Sequence, residues 1–528
     1  MNSVTALKGA LGVRAVFKDY ALSALSGVLV ALAFPDYGIW PLAWVGLVPL
    51  FVVIRAKNTL SATWLGLTAG LFYFGPTVYW VSNTMTQFGG MPLFAAVITT
   101  ALMISVMSCY IALFCYLLSM VEGRSGRAIS LAMAPFLWVT LETVRGSLPG
   151  VGFPWARLSD SQFEVLNVIQ IADITGSEGV SFIIVLVSAS LAMVLDWFLS
   201  KNGSQEKFPF RWIAGTLLLV MAMLVYGAIK LSAIDEGAKG AQKVKVALVQ
   251  GNVDQKRKWE RFYREEQLDI YTRRTEEAVA KGAELVVWPE TAAPFYFGSD
   301  PLYDAGLRAL SQNSGVPIVF GAPGYVRENG KVTSFNRAWV VRPDGYEEKF
   351  DKVHLVPFGE YIPMKKVLFF LDKVVTSIGD MEPGKTVNLL DIGAFKAGVQ
   401  ICYEIIFPQY SREIALKGAS VIINITNDSW YGKTSASRQS LSMAVFRAVE
   451  NRIPVLRSAQ SGVSCIIEPS GKVVGETRLF VETTLMGSFT PKKSATTIYS
   501  SSGGLFGLGC AGFVFALIFF TQRRRAPL

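Results

Sequence analysis

The stretch Asn58–Val121, NTLSATWLGLTAGLFYFGPTVYWVSNTMTQFGGMPLFAAVITTALMISVMSCYIALFCYLLSMV, runs for 64 residues without an Asp, Glu, Lys, Arg or His. A helix rises ~1.5 Å per residue and a bilayer's hydrocarbon layer is ~30 Å thick, so ~20 apolar residues make one crossing. The stretch therefore holds two crossings, with a break expected near Asn83 to Gly90. By the same logic Trp212–Ile229 and Gly503–Thr521 are crossings, as are Ala128–Val144 and Gly179–Leu195. Tyr20–Phe34 and Gly38–Ile54 are shorter candidates. The count is eight, seven of them before Lys230 and one at the C-terminal end.

The rest of the chain agrees with this start. Of 528 residues 51% are apolar and 17% are charged, against ~25% charged in a soluble domain. Such a composition excludes a disordered chain, a fibrous repeat and a small disulfide scaffold. If the N-terminus is cytoplasmic, the inside segments carry 13 cations: Lys8, Arg14, Lys18, Arg55, Lys57, Arg124, Arg127, Lys201, Lys207, Arg211, Arg523, Arg524 and Arg525. The short outside loops carry two, Arg145 and Arg157. Positive charge collects on the cytoplasmic side of membrane proteins, so both termini are expected in the cytoplasm and the long polar segment outside. The net charge of +10 is then a topology signal. Its cations are spread over five segments rather than gathered on one face, so no nucleic-acid partner is expected. A cleaved signal peptide is disfavoured, because Pro35-Asp36-Tyr37 rather than a small-residue site follows the first apolar run.

Three parts are expected: a membrane domain over 1–236 with seven spans, an outward domain over 237–494, and a C-terminal span with a basic tail over 495–528. In the outward part, Lys243–Gln250 alternates as a strand does. Strands are also expected at Leu285–Trp288, Val316–Phe320, Ala338–Val341, Glu347–Phe350, Gly398–Tyr403, Ser420–Ile425 and Val463–Ile467. Helices are expected over Lys256–Lys281, around Asp304–Ser311 and over Ser435–Asn451. Alternating strands and helices make an α/β domain.

Three of the five cysteines, Cys109, Cys115 and Cys510, fall in spans and read as packing. Cys402 and Cys465 lie in the outward domain, where a disulfide between them is one reading. The other is chemical. Cys402 ends an apolar strand in Val399-Gln400-Ile401-Cys402-Tyr403-Glu404, a place where α/β domains display reactive groups. A thiol becomes a nucleophile beside a base or a cation. The chain has one histidine, His354, and any Cys–His pair would have to use it. Glu290, in Trp288-Pro289-Glu290, and Lys352, in Asp351-Lys352-Val353-His354-Leu355, stand in settings like that of Cys402. One histidine cannot supply the usual zinc sets, so neither a metal nor a cofactor is expected.

These motifs, in the order Glu, Lys, Cys and separated by 62 and 50 residues, resemble the nitrilase (carbon–nitrogen hydrolase) superfamily. With seven spans before the domain and one after, and with Gly152-Phe153-Pro154-Trp155 and Asn427-Asp428-Ser429-Trp430-Tyr431-Gly432, the whole chain is similar to the apolipoprotein N-acyltransferase family. The resemblance implies an αββα sandwich with a Glu290–Lys352–Cys402 triad. It implies a ping-pong transfer of an acyl chain from a phospholipid, typically the sn-1 chain of phosphatidylethanolamine, to the α-amine of a diacylglyceryl-cysteine on an apolipoprotein. It implies a monomer in the bacterial inner membrane with its catalytic domain in the periplasm. Glu360, Asn336, Tyr403 and Glu404 are expected to support the site, with Glu360 orienting Lys352 or Glu290, and His354 to be structural. Lipid or headgroup contacts are expected at Arg145, Trp155, Phe295, Phe297, Phe369 and Phe370, with Pro294–Phe297 and Tyr361–Val375 forming mobile lids. Two rival readings are a membrane-anchored amidase of the nitrilase type, for which seven spans exceed what a tether needs, and a transporter or receptor with an outward domain. The second is disfavoured because charges cluster at span ends rather than at mid-bilayer.

Overall fold

A computed structural model describes residues 2–87, 89–148, 152–200, 208–255, 257–258, 260, 262–328, 330–357, 359–361, 381–492 and 496–523. Five helices, Arg14–Leu32, Leu93–Ser125, Arg127–Ser147, Ser177–Leu199 and Phe210–Ala238, are long and apolar enough to cross a membrane. The 20-residue helix Thr59–Val78 and the 19-residue helix Leu505–Arg523 accompany them. The expected span Gly38–Ile54 is two short helices, Leu42–Gly46 and Val48–Ile54, meeting at Leu47 with Pro49 in the first turn of the second. Helical segments fall at each of the eight expected positions, five of them long and apolar enough to cross. The break in the charge-free stretch falls at its glycine end. Helix Trp80–Gln87 continues past Asn83, and the chain turns through Gly90 at φ +66° and Pro92 before Leu93. Rows of exposed apolar side chains, Leu93, Phe94, Ile98 and Leu102 on one helix and Leu217, Leu218, Val225 and Ile229 on another, mark a surface made for lipid. The segment between Arg145 and Gly179 is more than a loop. Short helices at Leu158–Gln162, Leu166–Ile169 and Ala172–Thr175 tuck beneath the outward domain.

That domain holds twelve strands among the described residues: β1 (Val244–Gln250), β2 (Leu285–Val287), β3 (Ile318–Glu328), β4 (Lys331–Val341), β5 (Glu347–Asp351), β6 (Leu389–Asp391), β7 (Lys396–Ile401), β8 (Val421–Thr426), β9 (Val455–Ala459), β10 (Cys465–Ile467), β11 (Val473–Glu476) and β12 (Thr483–Phe489). They form two six-stranded sheets, ordered β12-β1-β2-β3-β4-β5 and β11-β10-β9-β8-β7-β6. β1, β2 and β3 run parallel, as do β7, β8 and β9. The period-two alternation of each strand builds the layers. Val246, Leu248, Leu285 and Val287 face Val399, Ile401, Val421 and Ile423 across a shared core. Ala247, Val249 and Val286 face outward under Tyr271 and Leu307, from helices Tyr263–Ala280 and Pro301–Ser314. On the far side Ile422 and Val455 pack under helices Pro408–Leu416 and Ala436–Asn451. The architecture is therefore the helix–sheet–sheet–helix sandwich that the resemblance implied.

The fourth layer does not end in water. Its apolar residues Ile414, Leu441, Ala444 and Val445 belong to the same continuous cluster as Phe34, Tyr73, Trp80, Trp155 and Ile184 of the membrane helices. Every residue of Ala436–Asn451 except Arg438 is buried. Gln439 is the stitch. Its Oε1 accepts from Trp155 Nε1 at 2.6 Å, and its Nε2 donates to the Pro35 and Thr77 carbonyls at 3.1 Å each. A Gln439→Leu variant leaves three buried polar groups without partners. It should unfold in detergent micelles with a loss of about 2–4 kcal/mol, while a substitution at exposed Lys331 should leave the unfolding midpoint unchanged.

Candidate active site

Each parallel half-sheet delivers one reactive group at its C-terminal edge. β7 ends at Ile401, and Cys402 follows with φ +54°, a left-handed backbone that a residue with a Cβ rarely adopts. It opens the short helical turn Cys402–Ile406. β2 ends at Val287, and Trp288-Pro289 carry the chain to Glu290. Lys352 follows the last residue of β5, its backbone N–H donating to the Asn336 carbonyl on β4 at 2.9 Å.

The side chains converge on a buried charge cluster. Lys352 Nζ lies 2.9 Å from Glu360 Oε2 and 3.8 Å from Glu290 Oε1, and it is 1% exposed. Asn336 Nδ2 donates to Glu290 Oε1 at 2.7 Å and to Glu360 Oε1 at 2.8 Å, bridging the two carboxylates. Glu360 Oε2 also accepts from the Val356 N–H at 2.8 Å. The second Glu290 oxygen accepts from the Asn427 N–H at 2.8 Å. Burial pushes the Cys402 thiol up to about 12; Glu290 adds to the rise, while Lys352 and the Thr426 hydroxyl pull it back. The resting sulfur is thus protonated, and its proton needs an acceptor. Burial alone would push the Lys352 ammonium down, but Glu360, Glu290 and Cys402 overcome it and hold Lys352 above the ordinary lysine range. A permanent cation therefore stands beside a carboxylate and a thiol.

Glu404 anchors the turn that carries Cys402. Its Oε2 accepts from the Ile401 N–H at 2.7 Å, and its Oε1 accepts from the N–H groups of Val353 at 2.7 Å and His354 at 3.0 Å. One carboxylate so ties the end of β7 to the segment that carries Lys352. Asn424 Nδ2 donates to the Gln400 carbonyl at 3.0 Å, and Arg457 forms a buried pair with Asp428 at 2.8 Å beneath it. Tyr403 lies half-buried against Phe407, ring centroids 5.1 Å apart. Cys402 and Cys465 are both free thiols, so the disulfide reading is set aside. His354 hydrogen-bonds the Tyr410 hydroxyl through Nδ1 at 3.0 Å.

The structure brings together Glu290, Lys352, Cys402, Glu360, Asn336, Glu404 and Tyr403. It places the expected lipid contacts elsewhere. Arg145 is buried and spends its guanidinium on the carbonyls of Phe153 at 3.2 Å, Trp155 at 2.5 Å and Ala156 at 3.1 Å. The loop folds back on that cation rather than leaving it to a headgroup. Trp155 is fully buried under Gln439, its ring tilted 48° against Trp80 with centroids 4.8 Å apart. Phe295 and Phe297 lie in the core under the first sheet, Phe297 meeting Phe320 and Trp339 at 5.1 and 5.0 Å, and form no lid. Phe369 and Phe370, and with them the proposed lid beyond Tyr361, lie outside the described residues. Two contributors were not anticipated from sequence. The Asn427 N–H is a backbone group with no side-chain signature, although its motif is visible. Lys258 sits in a charged run that reads as a solvated helix.

Comparison with known proteins follows the same division. Residues 245–499 match the carbon–nitrogen hydrolase family model, which is the class of the sandwich. Residues 26–190 match the apolipoprotein N-acyltransferase N-terminal domain. The apolipoprotein N-acyltransferase of Geobacter metallireducens is 39% identical over 508 residues, 95% of each chain. Those of Pasteurella multocida and Methylococcus capsulatus are each 31% identical, covering 90% of both chains and 96% and 97% respectively. Among solved structures, an amidase from Nesterenkonia sp. is 19% identical with a TM-score of 0.36, covering 50% of this chain and 93% of its own. The chain belongs to the apolipoprotein N-acyltransferase family.

His354 gives this site an acid limit on its stability. Burial first, and the Lys352 charge second, push its imidazole from 6.5 down to about 4. The folded state thus refuses a proton that the unfolded chain accepts. The stability held above pH 6.5 is lost as pH falls toward 4. Unfolding measured at pH 7 and pH 5 should show a loss on the order of 1 kcal/mol from this half-exposed ring, after discounting for solvent screening. His354→Gln should remove most of that difference.

Proposed function

We propose that this protein transfers a fatty acyl chain from a membrane phospholipid to the α-amine of the diacylglyceryl-cysteine at the N-terminus of an apolipoprotein. The observation that carries the reading is a Glu290–Lys352–Cys402 cluster whose supporting layer is continuous with a membrane-embedded helix bundle. Both substrates are lipids anchored in that bilayer. The donor is the sn-1 chain of phosphatidylethanolamine, and the protein works as a monomer without cofactor or nucleic acid. Residues 1–236 form the membrane part, 237–494 the catalytic part and 495–528 the closing span. Both termini are cytoplasmic, and the catalytic part faces the periplasm of a bacterial inner membrane. The ion pairs Lys57–Asp19, Arg127–Glu122 and Arg127–Asp196 support this orientation. They gather at the helix ends opposite Pro35, Thr77 and Ser177, which touch the catalytic part.

The reaction runs in two balanced halves. Glu290 takes the thiol proton as Cys402 sulfur attacks the ester carbonyl. The tetrahedral oxyanion is stabilised by the Lys352 ammonium. It collapses to a thioester as the glycerol oxygen leaves, receiving the proton from Glu290 to give lysophospholipid. In the second half the acceptor amine attacks the thioester, again through an oxyanion facing Lys352. Glu290 takes the amine proton and returns it to the departing sulfur, leaving an amide and a free thiol. Asn336 and the Asn427 N–H occupy one lone pair on each Glu290 oxygen and so aim the remaining pairs. Glu360 holds Lys352 in place. A cavity of about 420 Å³ opens where Asn83 and Gln87, at the end of a membrane helix, meet Ser429 and Lys433 of the catalytic part.

Mass spectrometry of the protein after exposure to phospholipid vesicles tests this. Wild type should gain one hydroxylamine-labile acyl group with release of equimolar lysophospholipid, and Cys402→Ala should gain none. Glu290→Gln should slow acylation by roughly 10²–10⁴-fold and Lys352→Met by roughly 10²–10³-fold. Wild type that stays unacylated overturns the reading. An acyl group released only to water, never to a diacylglyceryl peptide, makes the protein a hydrolase instead.

A further inference from the structure

We propose that Lys258 is a positioning residue of this site, the counter-charge that keeps Glu290 able to accept a proton and that pins the loop after β1 against it. The proposal rests on the reaction assigned above. Lys258 stands outside every motif that carries the family resemblance, in a run rich in Lys, Arg and Glu. Such a run is ordinarily a solvated surface. Here the lysine is 1% exposed, and its Nζ donates to the Glu290 backbone carbonyl at 3.3 Å. A lysine is rarely buried unless something requires its charge.

The loop around it is built to reach this point. The Lys258 N–H donates to the Asp254 carbonyl at 3.0 Å, and the Asn252 N–H donates to the Gln460 carbonyl at 2.8 Å. The neighbouring Gln255 side chain accepts from Asn427 Nδ2 at 2.7 Å. Asn427 is the residue whose backbone N–H feeds Glu290 Oε2. Glu290 is therefore gripped twice from one loop, directly at its carbonyl by Lys258 and through Asn427 at its carboxylate.

The charge balance gives the reason. The groups facing Glu290 are Lys352 at 3.8 Å, Glu360 through the Asn336 bridge, the neutral Cys402 thiol, and Lys258; Asp254 lies on the loop itself. Two carboxylates against Lys352 alone would leave this buried cluster with an excess negative charge. A buried uncompensated charge costs several kcal/mol. Lys258 supplies a second cation beside Glu290, and the net charge of the cluster is unchanged when the thiol proton moves to Glu290, because one anion simply replaces another. Burial pushes the Lys258 ammonium down to about 8 against the attraction of Glu290, so the residue is charged at neutral pH.

The test is the pH dependence of acyl-enzyme formation, read by lysophospholipid release, for wild type, Lys258→Met, Lys258→Gln and Lys258→Arg. Without a neighbouring cation the carboxylate holds its proton to higher pH. In the Met and Gln variants the acid limb should therefore move up by about one pH unit. The deficit should reach about tenfold on the acid limb, below the wild-type midpoint, and vanish on the plateau at higher pH. Arg should keep the limb within a few tenths of a unit of wild type. Gln retains a donor for the Glu290 carbonyl, so it isolates the charge even if Met unfolds the loop. A uniform deficit at every pH in the Gln variant, or none, overturns the assignment while leaving the acyl-transfer reading intact. Wild type that forms no acyl-enzyme removes the reaction itself.

Discussion

Helix Ala436–Asn451 is the constraint on which the rest of the molecule depends. An outer helix of a sandwich ordinarily shows one face to water. This one is enclosed on both sides, and its sequence is far from uniformly apolar, so each polar side chain in it must find a partner. Ser437 bonds Asp428, Gln439 bonds Trp155 and two carbonyls of the membrane part, and Arg447 pairs with Glu450 at 2.7 Å. Glu450 in turn accepts from the N–H of Ser177, the first residue of a membrane span. Asp428 holds Arg457, which bonds Asn424, the residue that fixes the Gln400 carbonyl two positions before Cys402. One helix thus fixes both the height of the sandwich above the bundle and the frame of Cys402.

The site itself is an arrangement of charges that individually would not tolerate burial. Two carboxylates share an amide donor at Asn336, and each lies beside the same ammonium. Burial works against the Lys352 ammonium, and the neighbouring carboxylates more than restore its charged form. The thiol stays protonated because no neighbour outweighs its burial. The division of labour follows: a cation that does not titrate near neutrality, a carboxylate with directed lone pairs, and a sulfur that gives up its proton only on demand.

Much of this was legible in the residues, and the failures share a cause. The bundle could be read because hydrocarbon excludes charge, which leaves a blank such as Asn58–Val121. The convergence of Glu290, Lys352 and Cys402 could be anticipated because each ends or follows an apolar strand and carries an unusual local motif. Strand lengths were harder. β3 runs on from Phe320 to Glu328 through Gly321, Pro323 and Gly324, which read as breakers but pair with the polar start of β4. β12 and β9 were missed because Thr483–Phe489 has little alternation and Val455–Ala459 carries a buried arginine. Arg145, Trp155, Phe295 and Phe297 were given to lipid because an aromatic or a cation near a membrane looks alike whether it faces lipid or another part of the same chain. Lys258 was hidden for the converse reason: in a run of charges, nothing local says which one turns inward.

The left-handed backbone at Cys402 has one more consequence. A side chain there is held in a conformation that glycine would occupy without strain, and Glu404 and Asn424 keep the turn from relaxing. If Cys402 carries the acyl chain as proposed, the least demanding residue at that position would make a sturdier and inert protein. Durability and turnover therefore draw on the same turn in opposite directions, and selection for the one, unchecked, would erase the other.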